Sequence, residues 1–357
     1  MTSVVSALRA DAVRRDLAAL AGAGLDVDEF QAAAADVVRR AVPYDATCWA
    51  TVDPQTNMLT GSITLHFDPS PDVEARFAET EAEGSDLHSF HQIIGRPLPV
   101  ARLSDAGRAA ISASPRLAEI YRPLGFRHEL RAAFTAHGSC WGVAGLLRDA
   151  AGSDFGDEEV AFFESATTVI ASGIRRAVLA APSSNGPAAP GSAVIVVAHD
   201  GTVAAATPKA REVLSDPTHS GNRRVGLAVR SVVAAVRLRG VDHASARVRD
   251  RNGAWMTVTA APLEDGRPNR QVVVTMESTP GSDLADLLLT AHGLTRREQE
   301  VCREILAGRS TAEIAAALFI SANTVQDHLK SVFDKVGVRT RRELVARVAP
   351  SRGDSTH

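Results

Sequence analysis

Apolar residues in the first twenty positions recur at helical spacing, with Val5, Leu8, Val13, Leu17 and Leu20 on one side, which predicts an amphipathic helix over about 3–20. The period then shortens. The runs "TCWATVD" (47–53) and "LTGSITLHF" (59–67), joined across "PQTN", read as a β-hairpin. From Leu130 the chain reads as two strands with a turn at "HGS", a loop, and a long helix beginning after Phe155. Next comes "APSSNGPAAPGS" (181–192), with three prolines, two glycines and no charge, which is the composition of a linker. Beyond it, "SAVIVVAHDGTVAAATPKAREVLSD" reads strand, Asp-Gly turn, strand, then a helix capped by Thr207 with Pro208 at its first position. The stretch "HASARVRDRNGAWMTVTAAPLEDGRPNRQVVVTME" reads as three strands separated by "DRNG" and "EDGR" turns. A weaker seam, "STPGSD" (278–283), hands over from strand-like to helical residues.

The last sixty residues carry repeated helix-start chemistry. Thr295 and Glu298, Ser310 and Glu313, and Thr340 and Glu343 stand at capping-box spacing, Ser321 caps a further helix, and Gly308 is a helix stop. Apolar positions from Val301 to Leu344 converge on one small core, so Ala315 to Val325 becomes two helices joined by a tight turn. The segment "ISANTVQDHLKSVFDKV" opens on short hydroxyl and amide residues and sets Gln326, Asp327 and Lys330 along one face. That is the make-up of a helix end pressed against something polar.

Three resemblances fit this order. The pieces "LTRREQEV", "LAGRSTAEIAAALFIS", "TVQDHL" and "KVGVRTRREL" resemble the LuxR-type helix-turn-helix domain of bacterial transcription regulators over about 294–344. The strand "WGVAGLLR", Phe155 and the acidic helix start "GDEEVAFFESAT" resemble the GAF sensory family. Two strands, helices and a three-strand meander across 193–278 resemble the PAS fold. The resemblances imply an N-terminal helix (1–25), a GAF-like domain (26–181), a linker (182–192), a PAS-like domain (193–279) and a helix-turn-helix domain (284–350). The expected fold class is α+β sensory domains followed by an all-α, four-helix DNA-binding domain.

The LuxR-type resemblance further implies that the second helix of the motif enters the major groove of double-stranded DNA. Its base-reading positions are then Gln326, Asp327 and Lys330, and the chemistry agrees. Gln pairs bidentately with adenine, Asp accepts from cytosine, and Lys favours guanine. Arg309, Thr311, Ser321, Asn323, Thr324, Lys335, Arg339 and Arg341 are candidates for phosphate oxygens. Leu344, Val345 and Val348 are the implied dimer face, which gives a homodimer with RNA polymerase as a further partner. This chain departs from the family at Gln326, where Lys or Arg is usual.

Charge alters the picture only locally. The net charge is -8 over 1–192, +4 over 193–279 and +1 over 280–357, so an acidic front disfavours nonspecific nucleic-acid binding by the whole molecule. Cys48, Cys140 and Cys302 show no paired spacing, which argues against a disulfide framework and for a cytoplasmic protein. No apolar run approaches the roughly 20 residues of a membrane helix. His66, His88 and His91 lack supporting Cys or carboxylate ligands, so no metal and no cofactor is expected. The chain shows no P-loop, Gly-x-Ser-x-Gly, His-Glu-x-x-His or kinase signature, and the expectation is a non-enzyme. An unknown small-molecule effector is expected in one of the GAF-like and PAS-like domains, with Trp49, His66, Phe90, His91, Phe134 and Trp141, near the GAF-like sheet, as the candidate pocket residues. One rival keeps the architecture but has the sensory part dock a partner protein. A second makes it an enzyme–sensor fusion.

Overall fold

The computed structural model describes residues 2–84, 86–180, 193–214, 220–250, 252–263 and 271–348. The linker expected at 182–192 and the "EDGR" turn lie outside the described residues. Among the described residues the chain forms two compact units, divided after Ser278.

The first unit begins with α1 (Thr2–Ala21) and α2 (Val27–Arg39), the latter closed at its start by an Asp26–Glu29 capping box. Val13 and Leu17 of α1 are fully buried, as the periodicity predicts, whereas Leu8 is 66% exposed. The hairpin follows as β1 (Ala46–Val52) and β2 (Leu59–Leu65), paired antiparallel with Thr47 opposite Leu65. Then come α3 (Pro71–Glu83), α4 (Phe90–Ile94), β3 (Val100–Arg102), α5 (Arg108–Ala113) and a π-helical turn over Arg116–Tyr121. The half closes with β4 (Phe126–Ala136), β5 (Ser139–Asp149) and α6 (Asp157–Ala180). Its five strands lie antiparallel in the order β2-β1-β5-β4-β3. One face of this sheet packs on α6, where Phe134 stands 4.9 Å from Trp49 and 6.1 Å from Phe163. Gly173 of α6 is there because Phe30 of α2 fills the space, and a Cβ would lie 2.0 Å from its ring.

The other half contains β6 (Ala193–Val197), β7 (Val203–Ala206), α7 (Pro208–Leu214), α8 (Ser220–Arg239), β8 (Ala244–Arg249), β9 (Trp255–Leu263) and β10 (Gln271–Ser278). Its sheet runs β7-β6-β10-β9-β8, the same order as the first sheet when each is counted from its own first strand. The helix α8 is shared between the halves. Val225, Ala228, Val232 and Ala235 bury one side of it in the second core, while Leu227 enters an apolar cluster of the first half with Ala50, Leu59 and Phe90. Ion pairs tie the same helix to the first half: Arg223 and Arg230 with Glu74 at 3.3 and 2.7 Å, and Arg224 with Asp28 at 2.6 Å. A buried lock lies beside them. The Asp53 carboxylate accepts from the backbone N–H, Nε and Nη2 of Arg247 at 2.8, 2.9 and 2.6 Å.

The second unit holds α9 (Gly281–Ala291), α10 (Arg296–Leu306), α11 (Thr311–Ala317), α12 (Ala322–Val336) and α13 (Arg341–Val348). Among its described residues five helices stand where the sequence predicts four. The extra one, α9, puts Ala285 and Leu289 into the same core as Val301, Ile314, Val325, Leu329 and Val332. The capping boxes at Thr295 and Ser310 form as their spacing predicts.

Candidate nucleic-acid interface and an apolar cavity

The arrangement of α11 and α12 follows from their caps. Ser310 Oγ accepts from the Glu313 N–H at 3.3 Å, and Ser321 Oγ accepts from the Thr324 N–H at 3.0 Å, so each start is fixed by a local bond. The Gln326 amide donates to Thr311 Oγ1 at 3.4 Å, which places the first turn of α12 beside the first turn of α11. The starts of α11 and α12 therefore stand side by side at one polar face. Gln326, Asp327 and Lys330 are all exposed on that helix, as are Ser321 and Asn323, with Thr324 half-buried.

The other candidates divide. Arg339 is exposed, and its backbone N–H donates to Glu343 at 2.8 Å. Arg309 is paired with Glu304 at 2.7 Å, and Arg341 donates to the Arg309 carbonyl at 3.0 Å. Lys335 is held by both oxygens of Glu298 at 2.8 and 2.7 Å. Leu344 and Val348 do not form a free face. They are 1% and 0% exposed in the core of their own unit, with Val345 half-buried against it, because α13 must close the bottom of the small core. Arg342, Glu343, Ala346 and Arg347 are what α13 shows outside.

In the first unit, a cavity of about 50 Å³ lies on the sheet face opposite Trp49. Ala50, Leu59, Phe77, Phe90, Val143 and Leu227 supply its apolar wall, and Cys48, Ser62, Thr64, Glu74 and Tyr121 its polar positions. Of the six aromatic and His residues expected at a ligand, Phe90 lines this cavity. Trp49 and Phe134 point to the α6 side, since successive strand residues face opposite ways. Trp141 is buried away from the lining, and His66 and His91 are exposed. Burial pushes the Cys48 thiol up to about 12, with Glu74 adding to it, so the thiol is neutral. Burial and then the Glu129 charge raise Tyr121, whose hydroxyl donates to Glu129 at 2.9 Å.

Beneath the cavity lies a buried charge network that periodicity does not reveal. Arg116 reaches Glu129 at 3.0 Å and Asp86 at 3.3 Å, and Arg131 reaches Glu81 at 2.6 Å while its guanidinium lies 3.7 Å from the Phe90 ring centroid. The one signal in the sequence is Glu129 and Arg131 standing inside an otherwise apolar strand, "ELRAAF".

Comparison with known proteins settles the family. The model described as bacterial regulatory proteins, luxR family, matches residues 292–348. The spore germination protein GerE of Bacillus subtilis is 42% identical over 52 residues, which are 15% of this chain and 70% of that protein. The chain belongs to the luxR family. The CsgBAC operon transcriptional regulatory protein of Escherichia coli is 45% identical over 53 residues, 15% of this chain, and the match spans 24% of that relative. Among solved structures, Escherichia coli SdiA aligns over 94% of this chain and 96% of its own at 13% identity, with a TM-score of 0.30.

The luxR-family match contains one strained residue. Phe319, between α11 and α12, has φ of 54° and is 95% exposed. It follows the end of α11, where the left-handed region favours Gly or Asn and costs other residues about 1–2 kcal/mol. Phe319→Asn is expected to stabilise the second unit by about 1 kcal/mol. Hydrogen exchange of the α11 and α12 amides checks it, and an unchanged or lower protection would show that the left-handed conformation at this position costs Phe no more than Asn.

Proposed function

We propose that the protein is a DNA-binding transcription regulator in which an N-terminal sensory unit, GAF-like then PAS-like, controls the DNA affinity of the C-terminal helices. The observation that carries the DNA reading is the exposed row Gln326, Asp327 and Lys330 on α12, set beside the starts of α11 and α12. A helix of 15 residues is about 22 Å long, enough to cross a major groove. Asp327 beside Gln326 repels phosphate, so one copy binds weakly and two copies on adjacent half-sites supply the affinity. The homodimer of this reading forms through a surface other than Leu344 and Val348.

Two features support the sensory reading. The strand β5, the buried Phe155 and the acidic start of α6 stand in the order of the GAF-like motif. The second half follows the PAS-like order of two strands, helices and a three-strand meander. A small molecule held in the first half shifts the balance between a DNA-competent and an incompetent arrangement of the dimer.

Selection of preferred sites from a random DNA library, followed by titration, tests the interface. Gln326→Ala and Lys330→Ala should each weaken binding to the selected site by about 1–3 kcal/mol and relax the preference at one base position. If both variants select the parent's sequences with the parent's affinity, α12 is not the reading helix.

A further inference from the structure

Resting on the small-molecule reading above, we propose that the cavity takes an uncharged, mainly apolar molecule with one hydrogen-bonding group at its Ser62–Thr64 edge, and that α8 is the wall that moves to admit it. The lining decides the chemistry. Cys48 pairs across the strands with Thr64, and Ala50 with Ser62, so the two hydroxyls lie side by side on the cavity face of β2. Neither hydroxyl has a side-chain partner among the described residues, so both are open to a ligand's hydroxyl or carbonyl. The single charge in the lining, Glu74, is already matched by Arg223 and Arg230. A charged ligand would lose its water and find no free counter-charge there.

Size decides the regulation. At about 50 Å³ the cavity holds a few waters, whereas a cavity that admits benzene is about 150 Å³. Any ring-sized ligand must therefore displace a wall. The sheet wall is fixed by the β1–β2 and β1–β5 ladders. The α3 wall is anchored from below, because Glu81 is tied to the buried Arg131. Phe90 and Tyr121 are held by the same buried charge network, whereas α8 contributes Leu227 as a roof and is tied to the first half by ion pairs whose side chains are 19–38% exposed and by the Arg239 Nε bond to the Ala82 carbonyl at 2.9 Å. The Asp53–Arg247 lock stays in place as the pivot. The opposite side of α8 rests on β8 and β9, and β10, paired to β9, runs to Ser278 just ahead of α9. Displacing the roof thus reaches the strand that leads into the second unit.

Benzyl alcohol and benzoate, a neutral and a charged molecule of the same size, serve as probes with the full-length protein, read by calorimetry, by hydrogen exchange of α8 and by operator affinity. Benzyl alcohol should bind with a dissociation constant on the order of millimolar, and benzoate at least tenfold more weakly. Leu227→Ala should tighten benzyl alcohol several-fold by removing the roof, and Ser62→Ala should weaken it about fivefold. Exchange of the α8 amides should quicken on binding. No binding of benzyl alcohol, or equal binding of benzoate, overturns the site and its chemistry. Binding that leaves α8 exchange unchanged overturns the moving wall. Binding with faster α8 exchange but an unchanged operator affinity upholds this inference and overturns the sensory reading on which it rests.

Discussion

Asp53→Ala is expected to destabilise the first unit by about 3–5 kcal/mol. Asp53 is 2% exposed and Arg247 7% exposed, and the carboxylate accepts three bonds from that one residue. It also accepts from the Gln55 N–H at 2.9 Å, so the same side chain shapes the turn between β1 and β2. Truncation leaves a buried guanidinium without its main counter-charge, which costs far more than the pair itself contributes. Hence Asp53→Leu with Arg247→Met should recover much of the loss, because neither partner then remains charged and buried. Trp49, Trp141 and Trp255 all lie in this unit, so the fluorescence of a urea titration reports it alone. A loss below about 1 kcal/mol, or a double variant as unstable as the single, would show that the lock does not hold the halves together.

What the sequence made legible was local chemistry. The caps at Thr295, Ser310 and Ser321 work over three residues, so their spacing alone locates α10, α11 and α12. The β1–β2 and β4–β5 hairpins announce themselves in the same way through short turns. The α8 helix carries no such signal. It is buried on two sides, by Val225 and Val232 against one sheet and by Leu227 against the other half, and this blurs a single apolar stripe. The cavity shows the same limit. Strand alternation says that Cys48 and Ala50 face away from Trp49, but which face holds a space depends on helices that pack from afar. Choosing aromatics by type therefore selected Trp49 and Phe134, which fill the α6 side, and passed over Ser62, Thr64 and Leu227.

Glu298→Gln should lower the stability of the second unit by about 3 kcal/mol at neutral pH. Glu298 joins the start of α10 to α12, far apart in the chain. It accepts from Lys335 at 2.7 Å, from Ser331 at 2.6 Å and from the Thr295 N–H at 2.7 Å, with its side chain 6% exposed. Burial alone would raise this carboxyl, but the bonds from Lys335, Ser331 and Thr295 outweigh it and bring it from 4.5 down to about 2. A folded-state value below the unfolded one means that the stabilisation is complete above about pH 4.5 and is lost as the pH falls through about 2. Parent and variant should therefore differ most at neutral pH and converge near pH 2, as read by hydrogen exchange of α10 and α12. A difference that persists unchanged at the acid end would mean that the ion pair is not its source. The same pair bears on DNA. Lys335 can reach a phosphate only by leaving Glu298, so Lys335→Ala should cost folding stability and leave the salt dependence of DNA binding nearly unchanged, whereas Lys330→Ala, at an exposed position, should leave folding stability nearly unchanged and relax the base preference.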